Sequence, residues 1–111
     1  MKKYEVIVTP EAEAAIISAF RYIYESAPRN AEHWLRGLYS RIGTLENFPR
    51  RCALAREREY FEEELRQLVF KSYRIVFHIE EKRRIVRVVS VVHGSRRAIG
   101  EPMESRDAES D

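Results

Sequence analysis

Between Leu65 and Arg97 the chain carries nine basic residues, Arg66, Lys71, Arg74, Lys82, Arg83, Arg84, Arg87, Arg96 and Arg97, against two acids, Glu80 and Glu81. A local excess of +7 attracts phosphates of a nucleic acid or an acidic segment of a protein, because steering responds to the field and not to the chemical class of the ligand. Arginines predominate, and their planar guanidinium forks match phosphate and carboxylate oxygens, although genome base composition can produce the same preference. A solvated face with no function would show the same charges. The formal net charge is only +2 because residues 100–111 hold five acids and one base, so the tail contributes −4 and residues 1–99 contribute +6.

Other chemistry is thin. Cys52 is the single cysteine of 111 residues, so the chain can form no internal disulfide and belongs to no disulfide-stapled class. It offers no cysteine cluster for a metal, and neither a metal nor another cofactor is expected. The start, Met1 to Val8, is interrupted by Pro10-Glu11 before it could serve as a secretory signal. No run approaches the roughly 20 apolar residues of a membrane span. The expected location is cytoplasmic, without membrane contact.

The length suits one domain with one hydrophobic core. We assign 1–99 to that domain and 100–111 to an acidic tail. Tyr4 to Val8 is β-branched and apolar, and predicts a strand over about 3–8. Thr9-Pro10-Glu11 then starts a helix, with Thr9 as N-cap, Pro10 at the first helical position and Glu11 near the positive end of the dipole. Ala12, Ile16, Ala19, Phe20 and Ile23 form its apolar stripe, and Pro28 interrupts it. Ala31, Trp34, Leu35, Leu38, Ile42 and Leu45 predict a second helix over about 30–47, ended by Phe48-Pro49. Trp34 belongs to that stripe and reads as core. Tyr22, Tyr24 and Tyr39 read as packing or rim residues.

The period then changes to two. Leu65–Phe70, Tyr73–Glu80 and Arg84–Val92 are three strands joined by Lys71-Ser72 and by Glu81-Lys82-Arg83, which pair most simply as an antiparallel meander. Tyr73, Ile75, Phe77 and Ile79 share a buried face, leaving Arg74, Val76, His78 and Glu80 on the other. The third strand is apolar on both faces and belongs inside the sheet. Ala53-Leu54-Ala55 reads as a turn of helix or a short strand, followed by a charged connection to Glu64 in which Tyr60 could stack on a base. The predicted class is α+β: an N-terminal strand, an α-helical hairpin and a three-stranded antiparallel meander.

This order, and the segments Tyr4-Glu5-Val6-Ile7-Val8-Thr9-Pro10-Glu11-Ala12, Ala31…Trp34…Leu38…Ile42…Leu45…Phe48-Pro49, Glu64-Leu65-Arg66-Gln67-Leu68-Val69, Tyr73-Arg74-Ile75-Val76-Phe77 and Val91-Val92-His93-Gly94-Ser95-Arg96-Arg97, resemble the RelE/ParE superfamily of toxins from bacterial type II toxin–antitoxin systems. The resemblance runs from residue 4 to 97. It implies a growth-arresting toxin of the kind that serves plasmid stabilization, neutralised in a hetero-oligomer by a cognate antitoxin that wraps over it. RelE-like members are ribosome-dependent mRNA endonucleases, whereas ParE-like members share the fold and inhibit DNA gyrase.

RNA cleavage requires a base for the ribose 2′-OH, a cation for the charge at phosphorus and an acid for the leaving oxygen. By the resemblance, Arg74 holds the phosphate position and Arg96 that of the acid, with Lys71 available as base and His93 as a substitute. RNA-cutting relatives place a Tyr or His shortly after the last Arg, but here the chain reads Arg97-Ala98-Ile99-Gly100-Glu101. That gap favours the ParE-like branch and a protein that is not an enzyme. Arg66, Lys71, Arg74, Arg96 and Arg97 are then candidates for target or antitoxin contact. Two plainer alternatives stand beside these roles: Arg74 paired with Glu64 or Glu80, and His93 as a hydrogen-bonded turn residue. A degenerate, non-toxic antitoxin-binding module is the remaining reading of the whole chain.

Overall fold

The computed structural model describes residues 3–56 and 62–94. Tyr60, Arg96, Arg97 and the acidic tail lie outside the described residues.

The strand β1 (Glu5–Val8) leads into α1 (Pro10–Ser26) through Thr9, whose hydroxyl has two roles. Its oxygen accepts from the Ala12 backbone N–H at 3.2 Å, capping the helix, while its O–H donates to the Val88 carbonyl at 2.8 Å. Helix start and sheet are therefore tied at one side chain. Ala27 alone separates α1 from α2 (Pro28–Gly43). The second helix thus begins two residues before the sequence-based boundary: Pro28 starts it from the first helical position, where a missing N–H costs nothing, as well as ending the first. Its far end tightens into a 3₁₀ turn over Thr44–Glu46, and a second 3₁₀ turn spans Pro49–Arg51.

The expected meander is present as β3 (Leu65–Phe70), β4 (Tyr73–Glu80) and β5 (Ile85–His93), and it forms the middle of a larger sheet. The order is β1-β5-β4-β3-β2, where β2 is the two-residue strand Ala53–Leu54. Of the 53–55 segment, Ala53–Leu54 is thus strand and Ala55 follows it. β1 lies parallel to β5, from Glu5 opposite Ile85 to Val8 opposite Val88, and the other pairings are antiparallel.

Both helices cover one face. Ala12, Ile16, Trp34, Leu38 and Ile42 pack against Ile75, Phe77, Val86, Val88 and Val91. Trp34 is 5% exposed and its ring centroid lies 5.1 Å from that of Tyr73, as its place in the stripe required. Tyr22, Tyr24 and Tyr39 are exposed, on the rim of the helical layer. Gly37 permits the close seating of α2 on the sheet: a Cβ there would lie 2.8 Å from the tip of the Phe70 ring.

The other face departs from expectation. Val76 is fully buried with Ala55, Leu65 and Val89 in a second small cluster, and Arg74 is buried rather than solvated. A register shift at Val76/Phe77 explains how β5 serves both sides. Val86 and Val88 face the helices, Val89 joins the opposite cluster, and Val91 faces the helices again. An inserted residue of this kind reverses the alternation of a strand, so an apolar run on both faces was needed.

Candidate functional site

The register separates residues that the sequence placed together. In an antiparallel ladder, directly opposed side chains share a face. Val69 opposes Arg74, whereas Arg66 opposes Phe77. Arg74 therefore lies on the helix-free face and Arg66 on the helix-covered one.

Arg74 is 6% exposed at the centre of the sheet. Its Nη1 donates to Gln67 Oε1 at 3.2 Å. It borders a cleft of about 340 Å³ with Leu54, Arg56, Gln67 and Gly94. Arg56, which drew no attention in the charged connection, donates from Nη2 to the Gly94 carbonyl at 3.0 Å and supplies the cleft with a second guanidinium. The alternative ion pair of Arg74 with Glu64 or Glu80 is not formed. Glu64 meets Arg50 and Arg66, while Glu80 meets Arg83 and Arg87. These donors hold the Glu80 carboxyl below its ordinary range, through the hydrogen bond from Arg83 first and that from Arg87 second.

Arg66 is a structural cation. Its Nη1 donates to the Cys52 carbonyl at 2.7 Å and more weakly to the Arg50 carbonyl at 3.4 Å, and Nη2 reaches Glu64 at 3.4 Å. It binds the loop before β2 to β3. Cys52 is buried beneath, and burial pushes its thiol above the ordinary value against the opposing pull of Arg51 and Arg66.

Lys71 stands at the tip of the β3–β4 turn with φ 54°, in the left-handed region. Its ammonium lies 5.8 Å from the Phe70 ring centroid, and the Arg41 guanidinium lies 5.5 Å from the same ring. Arg41 also donates to the Val69 carbonyl at 2.8 Å. The lining of the Arg74 cleft does not include Lys71.

His93 ends β5 with its ring edge-on to Tyr73, centroids 5.2 Å apart. Both border a different cleft, of about 490 Å³, between β5 and the Ala15, Ser18, Ala19 and Tyr22 flank of α1. Tyr73 packs against the helix-side core, so His93 and Arg74 stand on opposite sides of the sheet.

The residues considered for catalysis therefore do not converge among the described residues. The described lining of the Arg74 cleft holds two guanidinium groups and an amide, with no group that titrates near neutrality. It can bind an anion or a carboxylate-bearing segment.

Comparisons with known proteins agree with this architecture. The family model described as the ParE toxin of type II toxin–antitoxin system, parDE, matches residues 6–98. No match is found among curated proteins. Among solved structures, the chain is similar to one of the chromosomal ParDE toxin–antitoxin system of P. aeruginosa, with a TM-score of 0.67 at 11% identity, covering 82% of this chain and 96% of that one. It is similar to the RelBE2 toxin–antitoxin complex of Mycobacterium tuberculosis, with a TM-score of 0.54 at 21% identity over 84% and 93% of the two chains. The archaeal RelE–RelB complex of Pyrococcus horikoshii gives a TM-score of 0.55 at 14% identity over 86% and 99%. The structural likenesses establish the fold and the family match spans most of the sequence: the chain belongs to the ParE toxin family of type II toxin–antitoxin systems.

Proposed function

We propose that this chain binds DNA gyrase and holds it on broken DNA, arresting growth, and that it cuts no nucleic acid itself. The observation that carries this reading is the Arg74 cleft. Its Arg56 and Arg74 guanidiniums suit an anionic partner surface, while Lys71 and His93, the nearest candidates for proton transfer, are placed elsewhere. The sequence after Arg96-Arg97 supports it, since no Tyr or His follows.

A cognate antitoxin neutralises the protein in a hetero-oligomer. The solved relatives, which are toxin–antitoxin complexes by description, support this. Gyrase is a cytoplasmic target, so the protein acts there, and a pair of this kind serves plasmid stabilization. Arg74, with Arg96 and Arg97 beyond the described residues, is proposed for target or antitoxin contact. Arg66 and Lys71 are proposed for the same contact, although Arg66 stands on the opposite face and Lys71 is not among the residues lining the Arg74 cleft.

The test is purified protein added to gyrase and supercoiled plasmid. Accumulation of cleaved plasmid trapped on gyrase is the expected result, and unchanged supercoiling at stoichiometric excess overturns the proposal. One observation favours a second reading as an mRNA endonuclease: the buried Arg74 occupies the phosphate position implied by the RelE-like resemblance. Primer extension on mRNA after induction separates the two, with codon-phased cuts in the second case and none in the first.

A further inference from the structure

At the end of β4 away from Tyr73, the turn between β4 and β5 meets the start of β1 and the loop after α2. Two of the three non-glycine residues with left-handed backbone among the described residues, Phe48 (φ 48°) and Arg84 (φ 52°), flank one cleft there of about 460 Å³. Such a conformation is strained for a residue with a side chain and persists only where its surroundings hold it. Phe48 precedes Pro49, and its side chain is 61% exposed. A large aromatic ring is thus presented to solvent on a backbone that it would not choose.

The holding contacts are specific. Arg51 Nη1 donates to the carbonyls of Asn47 at 2.6 Å and Phe48 at 3.2 Å, and its Nη2 donates to Thr44 Oγ1 at 3.0 Å. Opposite, the Arg84 guanidinium lies 4.2 Å from the Tyr4 ring centroid. Tyr4 donates its hydroxyl to Glu81 at 2.7 Å, and Arg50 Nε donates to the other oxygen of Glu81 at 3.2 Å. These bonds hold the Glu81 carboxyl below its ordinary range, led by the hydrogen bond from Tyr4. Aromatic rings and a buried proline supply the apolar surface, with three guanidinium groups around it and no carboxylate in the lining.

We propose that this corner docks a segment of a partner protein that carries one large apolar side chain between acidic residues. The apolar side chain fills the space between Phe48, Pro49 and Tyr4, and flanking carboxylates meet the positive field of Arg50, Arg51 and Arg84. Tyrosine and arginine around a desolvated apolar pocket are the usual makings of a binding hot spot. A nucleic-acid backbone fits less well, because the floor of the cleft, formed by Tyr4, Phe48 and Pro49, is apolar surface that phosphates cannot use.

Fluorescence anisotropy on the full chain tests this with a labelled peptide of one tryptophan between aspartates. The comparators are the same peptide with lysines for aspartates, one with alanine for tryptophan, and a short single-stranded oligodeoxynucleotide. The acidic tryptophan peptide should bind, and Phe48→Asn and Arg50→Glu should each weaken it about tenfold or more. Asparagine tolerates left-handed backbone, so the Phe48→Asn protein should melt no lower than the parent. Tyr22→Ala, in the other cleft, should leave binding unchanged. Absence of binding, equal binding of any comparator peptide, preference for the oligodeoxynucleotide, or full affinity in Phe48→Asn would each overturn the proposal. The titration contains neither gyrase nor plasmid, so its outcome is read separately from that of the supercoiling assay.

Discussion

The two faces of the sheet do different work with similar residues. On the helix-covered face, Arg66 is consumed by the Cys52 and Arg50 carbonyls and Glu64, beside the large core of Phe77, Ile75 and Val86. On the helix-free face, Arg74 borders a cleft above a cluster that, among the described residues, consists of Ala55, Leu65, Val76 and Val89. Two arginines on neighbouring strands thus differ in what accepts their protons. The face a cation occupies separates the two better than how many cations lie nearby in the sequence.

The largest effect should come from the core of the covered face. Phe77→Ala should cost about 3–5 kcal/mol of stability by urea denaturation, whereas Val76→Ala, equally buried on the other face, should cost about 1–2 kcal/mol. Equal losses would break the comparison. Next, Arg66→Ala should cost about 2 kcal/mol, since the Cys52 carbonyl and its neighbours lose their donor. Growth arrest per folded molecule should survive this change better than it survives Arg74→Ala. The reverse pattern would exchange the assigned roles. Gly37→Ala should lower stability by about 1 kcal/mol, as overpacking against Phe70 outweighs the gain in helix propensity.

The smallest effect concerns pH. Glu80 and Glu81 titrate below the ordinary carboxylate value in the folded chain, so their contribution is complete above that value and fades as pH falls through their lowered ones. Replacing both with Gln should flatten the acid limb of the stability curve between those values. A variant that loses stability as steeply as the parent over that range would remove these groups from the account. Glu81 is exposed and Glu80 only half-buried, so solvent screening keeps the change small.

Much of this architecture can be read from local signals. Thr9-Pro10-Glu11 marks a helix start, Trp34 and Leu38 mark a covered stripe, and alternation through Tyr73–Glu80 marks a half-buried strand. The separation of Arg66 from Arg74 was also latent. A two-residue turn at Lys71-Ser72 fixes Phe70 opposite Tyr73, from which Arg66 opposite Phe77 follows by counting. Burial of Arg74 was less accessible, because Ala55, just after β2, and Leu65, the first residue of β3, meet Val76 on the second face, and no local periodicity warns of that cluster. The partners of Arg56, Arg50 and Arg84 were not legible, because Gly94, Glu81 and Tyr4 lie 38, 31 and 84 − 4 = 80 residues away in the sequence. The parallel pairing of β1 with β5 is of the same kind, and no composition signal in Glu5–Val8 names its partner.

The Thr9–Val88 bond gives that pairing a kinetic meaning. It joins groups 79 residues apart, and contacts across such separations form late because the intervening chain must first lose its freedom. During synthesis, the first strand made waits for the last one to complete its side of the sheet. The helical hairpin and the β3–β4 pair can form from nearby residues, but the helix-covered core gains β5 only when almost all of the chain up to His93 has been made. A ribosome-bound chain stopped before Ile85 should therefore show no amide protection in β1, and protection there would mean that the first strand finds another partner on the way.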